Sequence, residues 1–188
     1  MVRRSLLPIV LAAAFGACDQ FLGARFYVLG SWATDASLLS APWLLIAFLA
    51  GWSQTTVRRA MVLGFVCTVA ALAGYCAMTL SPVEGAVVTL PGVRGLLAGQ
   101  WRWALGGLLT GPLFGWLGHR WRTRRDWMSA LAAALVVCCE PLAHAAAGTA
   151  VGFDGVWAAE IAVGLVMAVY VVAVTQRRTT RRAPRSSR

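Results

Sequence analysis

Arginine recurs along this chain at intervals that apolar segments set. The 17 basic residues are all arginine, and most fall in four clusters. These are Arg3/Arg4, Arg58/Arg59, Arg120/Arg122/Arg124/Arg125, and a terminal run of Arg177, Arg178, Arg181, Arg182, Arg185 and Arg188. Arg25 and Arg94 sit in the alternate connections, and Arg102 lies at the outer start of the fourth span. Short loops of membrane proteins keep their positive residues on the cytoplasmic side. Clusters in every second connection therefore predict an all-α, polytopic integral membrane protein with six transmembrane helices and with both termini cytoplasmic.

The apolar segments fit this pattern. A span takes about 20 mostly apolar residues, and the expected spans are 5–22, 38–53, 60–80, 101–118, 127–149 and 156–175. They make a single domain over 1–176, followed by a basic cytoplasmic tail at 177–188 that reads as disordered and lies against anionic headgroups. Tryptophan favours membrane–water interfaces. Trp32, Trp101, Trp103 and Trp157 are assigned to the outer interface, and Trp52, Trp116, Trp121 and Trp127 to the inner one. The outer connection 81–100 has proline and glycine around an apolar stretch, and it is expected to lie over the spans as an interfacial or re-entrant segment. Residues 1–18 also have the outline of a secretory signal ending at Cys18; an uncleaved first span is the ordinary fate in a multi-pass chain and is preferred.

Composition narrows the class further. The chain is 59% hydrophobic, against about 45–50% apolar residues in soluble domains. Its mean hydropathy is +0.69. The net charge of +10 is a topology signal, so nucleic acid is not an expected partner and the lipid bilayer is. Arginine-only basicity with abundant alanine suggests a GC-rich bacterial genome, hence the bacterial cytoplasmic (inner) membrane. The five cysteines fall in apolar segments without metal-ligand spacing, and are expected to be small buried hydrophobes.

Ionisable residues inside spans are the sharpest functional signal. Charge at membrane depth costs a few kcal/mol at least and marks pathways or binding sites. Asp19, Arg102, Glu140, His144 and Glu160 all fall in the outer half or the middle of their spans. One-sided placement points to a pocket open to the outside rather than to a path across the membrane. Glu140 and His144 are four apart and share a helix face. Pro141 between them cannot donate to the carbonyl of Val137. Arg102 is the candidate counter-ion, and Trp43 and Tyr75, near the outer ends of their spans, are candidate aromatic walls. The competing explanation is an internal polar network that holds the helices together. No metal site, cofactor or catalytic group is expected, because one His beside one Glu falls short of a metal ligand set and no nucleophile or phosphate-loop motif is present.

Small residues at four-residue spacing let helices approach closely. Gly107, Gly111 and Gly115 lie on one face of the fourth span, and Ala13 and Ala17 on one face of the first. Such faces pack inside a bundle or dock a partner. A non-catalytic scaffold or assembly factor, docking through them, is the alternative to solute binding.

Several stretches resemble a family of small bacterial multi-pass membrane proteins of unknown function. They are Ser40-Ala41-Pro42-Trp43-Leu44-Leu45 with Phe48-Leu49-Ala50-Gly51, Gly74-Tyr75, Trp103-Ala104-Leu105-Gly106-Gly107, and Gly111-Pro112 to Gly115. The size, the six spans and the outward polar cluster also resemble the substrate-capture (S) components of energy-coupling-factor transporters. That resemblance implies uptake of a small solute together with other membrane subunits, with Ala13 and Ala17 at the docking face.

Overall fold

A computed structural model describes residues 2–25, 39–85, 87–125, 127–146 and 155–182. These residues form six α-helices and one 3-10 turn, with no strand among them. The helices are α1 (Val2–Arg25), α2 (Ala41–Trp52), α3 (Val57–Thr79), α4 (Leu90–Arg124), α5 (Trp127–Ala146) and α6 (Gly155–Arg182); the 3-10 turn is Pro82–Glu84. Three stretches are long and apolar enough to cross a membrane, namely Leu6–Ala24, Val57–Thr79 and Gly155–Gln176. Ala41–Trp52 and Trp127–Leu142 are apolar but shorter.

Local signals set several of the boundaries. Thr56 begins α3 and its hydroxyl accepts from the Arg59 N–H at 3.4 Å. Thr89 does the same for α4, accepting from Gly92 at 3.2 Å. Such caps satisfy donors that the first helical turn leaves orphaned. α4 ends where Arg125 turns left-handed at φ 53°, with Arg122 and Arg124 in its last turn, where cations complement the helix dipole.

Side-chain size is sorted inside out. The buried residues are mostly small: Ala12, Ala50, Leu63, Cys67 and Ala71 pack where α1, α2 and α3 meet. Ala47, Phe48, Phe114 and Ala133 pack where α2, α4 and α5 meet. Large apolar residues face outward instead, including Leu7 and Val10 on α1, Val62 and Val69 on α3, and Val166 and Val169 on α6. In water a surface of that kind would associate; against lipid it is stable, and small residues then let the backbones touch. An added Cβ at Gly16 would fall on the Ala71 carbonyl, and one at Gly51 on that of Gly115.

The pairings also fix relative direction. α3 and α4 run antiparallel, with Ala60 against Gly115, Gly64 against Gly111 and Thr68 against Gly107. α5 and α6 are antiparallel too, since Cys138 meets Gly164 and Glu140 lies beside Glu160. α2, the shortest helix, touches α1, α3, α4 and α5, whereas α6 packs on α5 alone among the described helices.

Four expectations change. The connection 81–100 is not a separate segment over the bundle: from Leu90 onward it is the first part of α4, a helix of 35 residues. That is about 52 Å at 1.5 Å per residue, and Leu90, Leu97 and Trp101 on it are exposed. α6 remains helical through Arg182, six residues past the boundary set by composition. Trp157 is buried rather than interfacial. Cys18 and Cys139 are exposed on helix surfaces, while Cys67 is buried.

Candidate polar site around the start of helix α2

α2 has 12 residues, so it is about 18 Å long against an apolar bilayer thickness of about 30 Å. Each of its ends leaves orphan backbone groups that need partners. Neighbouring helices supply the missing partners.

At the first turn the partner is Glu140, from α5. Its Oε1 accepts from the Ser40 backbone N–H and, at 2.6 Å, from the Ser40 hydroxyl. Its Oε2 accepts from the Ala41 N–H at 2.7 Å. Pro42 then removes a donor that would otherwise need an acceptor. A carboxylate at the positive end of the helix dipole is also the favoured sign. At the other end of α2 the partners come from α4. Arg122 Nη1 donates to the carbonyls of Trp52, at 3.1 Å, and Ser53, at 2.7 Å. His119, buried, places Nδ1 3.1 Å from the carbonyl of Gln54. A carboxylate at the start and a guanidinium at the end match the dipole at both termini.

Two further acidic residues converge on the start of α2. Asp19 of α1 is 8% exposed and shares a side-chain hydrogen bond with Trp43, in the first turn of α2. Trp43 sits between Phe15, 5.6 Å away edge-on, and Tyr75 of α3, 6.3 Å away. Glu160 of α6 is 6% exposed and lies beside Glu140. Both of its carboxyl oxygens are sealed from solvent, and the side-chain partner they have is the Glu140 carboxyl.

Five of the sequence-derived site residues thus meet around one helix start: Asp19, Trp43 and Tyr75 on one side, Glu140 and Glu160 on the other. Arg102 and His144 belong to α4 and α5 by their backbone, and their side chains lie outside the described residues. Gly107, Gly111 and Gly115 all meet α3, through Thr68, Gly64 and Ala60. Gly74 of α3 meets the Ala13 carbonyl, while Ala17 is half-buried on α1. Among the described residues no group of three or more His, Cys, Asp or Glu is arranged to hold a metal ion. Sequence reasoning missed Ser40, His119 and Arg122. The available signal was the shortness of the second span, which obliges something to complete its ends.

The arrangement separates the carboxyls chemically. Glu140 is occupied by three donors and Asp19 by an indole. Glu160, in a dry setting, has only the neighbouring Glu140 carboxyl as its side-chain partner among the described residues.

The chain belongs to a family of unknown function (DUF6518), whose model matches residues 1–184. No curated protein and no solved structure matches it.

Proposed function

From membership of a family without an assigned activity, we propose that this chain is a six-span protein of the bacterial cytoplasmic membrane that binds a small solute from the outer side as part of an uptake system. Both termini are then cytoplasmic. The helix directions support this topology. α3 and α4, and α5 and α6, are antiparallel pairs, and Arg58/Arg59 of α3 and Arg120/Arg122/Arg124 of α4 come to the same end of the bundle. Asp19, Glu140 and Glu160 gather at the opposite end.

The observation that carries the reading is Glu160. A buried carboxyl whose side-chain partner is another carboxyl is expensive to retain, and a solute offering N–H or O–H groups would complete the pair. Glu140 and Asp19 hold the frame, Trp43 and Tyr75 supply aromatic walls, and Arg102 and His144 are the remaining candidate contacts. For the scaffold alternative, which docks a partner through small-residue helix faces, Gly107, Gly111 and Gly115 are already met by α3.

The test is gentle purification from the native membrane, with mass spectrometry of bound small molecules and co-purifying proteins. One stoichiometric solute is expected with the wild type, and its loss in a folded Glu160→Gln variant. Equal retention by that variant would remove Glu160 from the site. No solute, with recovery of an unrelated membrane complex, would replace solute binding by scaffolding.

A further inference from the structure

Among the described helices α6 is held to the bundle through α5 alone, so whatever fixes the α5–α6 contact fixes α6. Close packing supplies one fastening. Gly164 lies against Cys138, and an added Cβ there would fall on its Sγ. The Cys138 thiol also donates to the Ile161 carbonyl at 3.8 Å. This register sets Glu160, one residue before Ile161, against Glu140, two residues after Cys138. The two carboxyls are hydrogen-bond partners, and each residue is 6% exposed. A carboxylate has no hydrogen to give, so a hydrogen bond between two carboxyls contains a proton. The surroundings say which of them supplies it. Glu140 already accepts from the Ser40 N–H, the Ser40 hydroxyl and the Ala41 N–H. It is an acceptor throughout, which makes Glu160 the donor.

We propose that Glu140 and Glu160 form a one-proton lock on α6: with the shared proton in place α6 is docked on α5, and release of that proton to the outer medium frees the first half of α6. Without it two carboxylates would face each other where little water screens them, and like charges repel most strongly there. The proton belongs to the pair rather than to either residue once the two are coupled this closely. No other described group takes over its part. On α5, Cys138 is engaged with the Ile161 carbonyl and Cys139 is exposed on the helix surface; the His144 side chain lies outside the described residues. On α6, Trp157 is buried one turn before Glu160 and does not titrate. Asp19, on α1, is paired with Trp43. Further along α6, Gly164 and the buried Val171 keep the second half packed, so the opening lies at the end where the carboxyls gather. The lock operates with or without a solute.

The experiment uses the full chain in lipid nanodiscs, with two readouts across a titration from mildly acidic to alkaline pH. Infrared spectroscopy detects the proton as the carbonyl stretch of a protonated carboxyl, assigned by its loss in Glu160→Gln. Spin labels at Leu142→Cys and Val163→Cys, both exposed positions, report the distance between α5 and α6 in a background without native cysteines. The wild type is expected to show the band and one short distance at the acidic end. As pH rises it should lose the band and gain a longer, broader distance together. Glu160→Gln, whose amide keeps a donor for Glu140, should hold the short distance throughout. Absence of the band at the acidic end would overturn the shared proton. A band that persists to the alkaline end, or a distance that stays short after the band is lost, would overturn the lock. Opening of Glu160→Gln in step with the wild type would overturn its assignment to this pair.

Discussion

Replacing Glu140 by alanine tests how the ends of a short buried helix are stabilised. The substitution removes the acceptor for two backbone N–H groups, those of Ser40 and Ala41, and for the Ser40 hydroxyl. The hydroxyl can rotate to another acceptor, whereas the two amides cannot. A buried donor left unsatisfied costs about 1–3 kcal/mol. Ala41 is buried and Ser40 half-buried, so the expected loss is about 2–5 kcal/mol, beyond the 0.5–2 kcal/mol typical of an ordinary N-cap. That is a large part of a stability of roughly 5–15 kcal/mol. Glu160→Gln supplies the contrast. Its carboxyl is paired only with another carboxyl among the described residues, and an amide can keep that hydrogen bond, so this isosteric change should leave stability within about 1 kcal/mol of wild type or raise it. The assay is reversible unfolding in mixed micelles titrated with denaturing detergent, followed by helicity. Glu140→Ala within 1 kcal/mol of wild type, or Glu160→Gln as costly as Glu140→Ala, would refute the capping account.

At the opposite end of α2, Arg122→Ala should cost about 0.5–1.5 kcal/mol in the same titration, since its hydrogen bonds are intact but its setting is exposed. Glycines separate into two classes. Gly115→Ala should disrupt the α3–α4 contact and sharply lower the yield of folded protein, because the Cβ would meet the Ala60 carbonyl. Gly106→Ala, with nothing within 4 Å of an added Cβ, should be neutral or stabilise by up to about 1 kcal/mol. In a background without native cysteines, Val87→Cys should react with an impermeant thiol reagent on intact cells. Thr55→Cys should react only after permeabilisation, and the reverse pattern would invert the topology.

Local features of the sequence foreshadow much of the helical layout. The spans expected at 60–80 and 156–175 follow the apolar stretches Val57–Thr79 and Gly155–Gln176 closely, because apolar runs are readable within a few residues. Convergence of Asp19, Trp43, Tyr75, Glu140 and Glu160 follows from depth, since residues at one end of antiparallel helices meet there. Which carboxyl does what was not legible. Glu140 is the cap of a helix 100 residues earlier in the chain, and Glu160 is set apart by having that same carboxyl as its partner. The same holds at the far end of α2, where Arg122 looks like one more member of a topological cluster until its carbonyl partners are seen. The beginning of α4 was misjudged for a local reason: Pro91 and the glycines near it suggested a broken segment, yet proline in the first turn is compatible with starting a helix.

The remoteness of the α2 cap has a consequence for how the chain is made. α2 leaves the ribosome well before α5, and its first amides have no carboxylate until Glu140 arrives. During that interval α1 to α4 can assemble their alanine and glycine contacts, but the start of α2 stays open to whatever surrounds it. Docking of α5 closes it, and α6, which packs on α5 alone among the described helices, arrives last. A nascent chain halted before residue 127 should therefore remain associated with the insertion machinery or a membrane chaperone, with the α5–α6 hairpin acting as the release step of biogenesis.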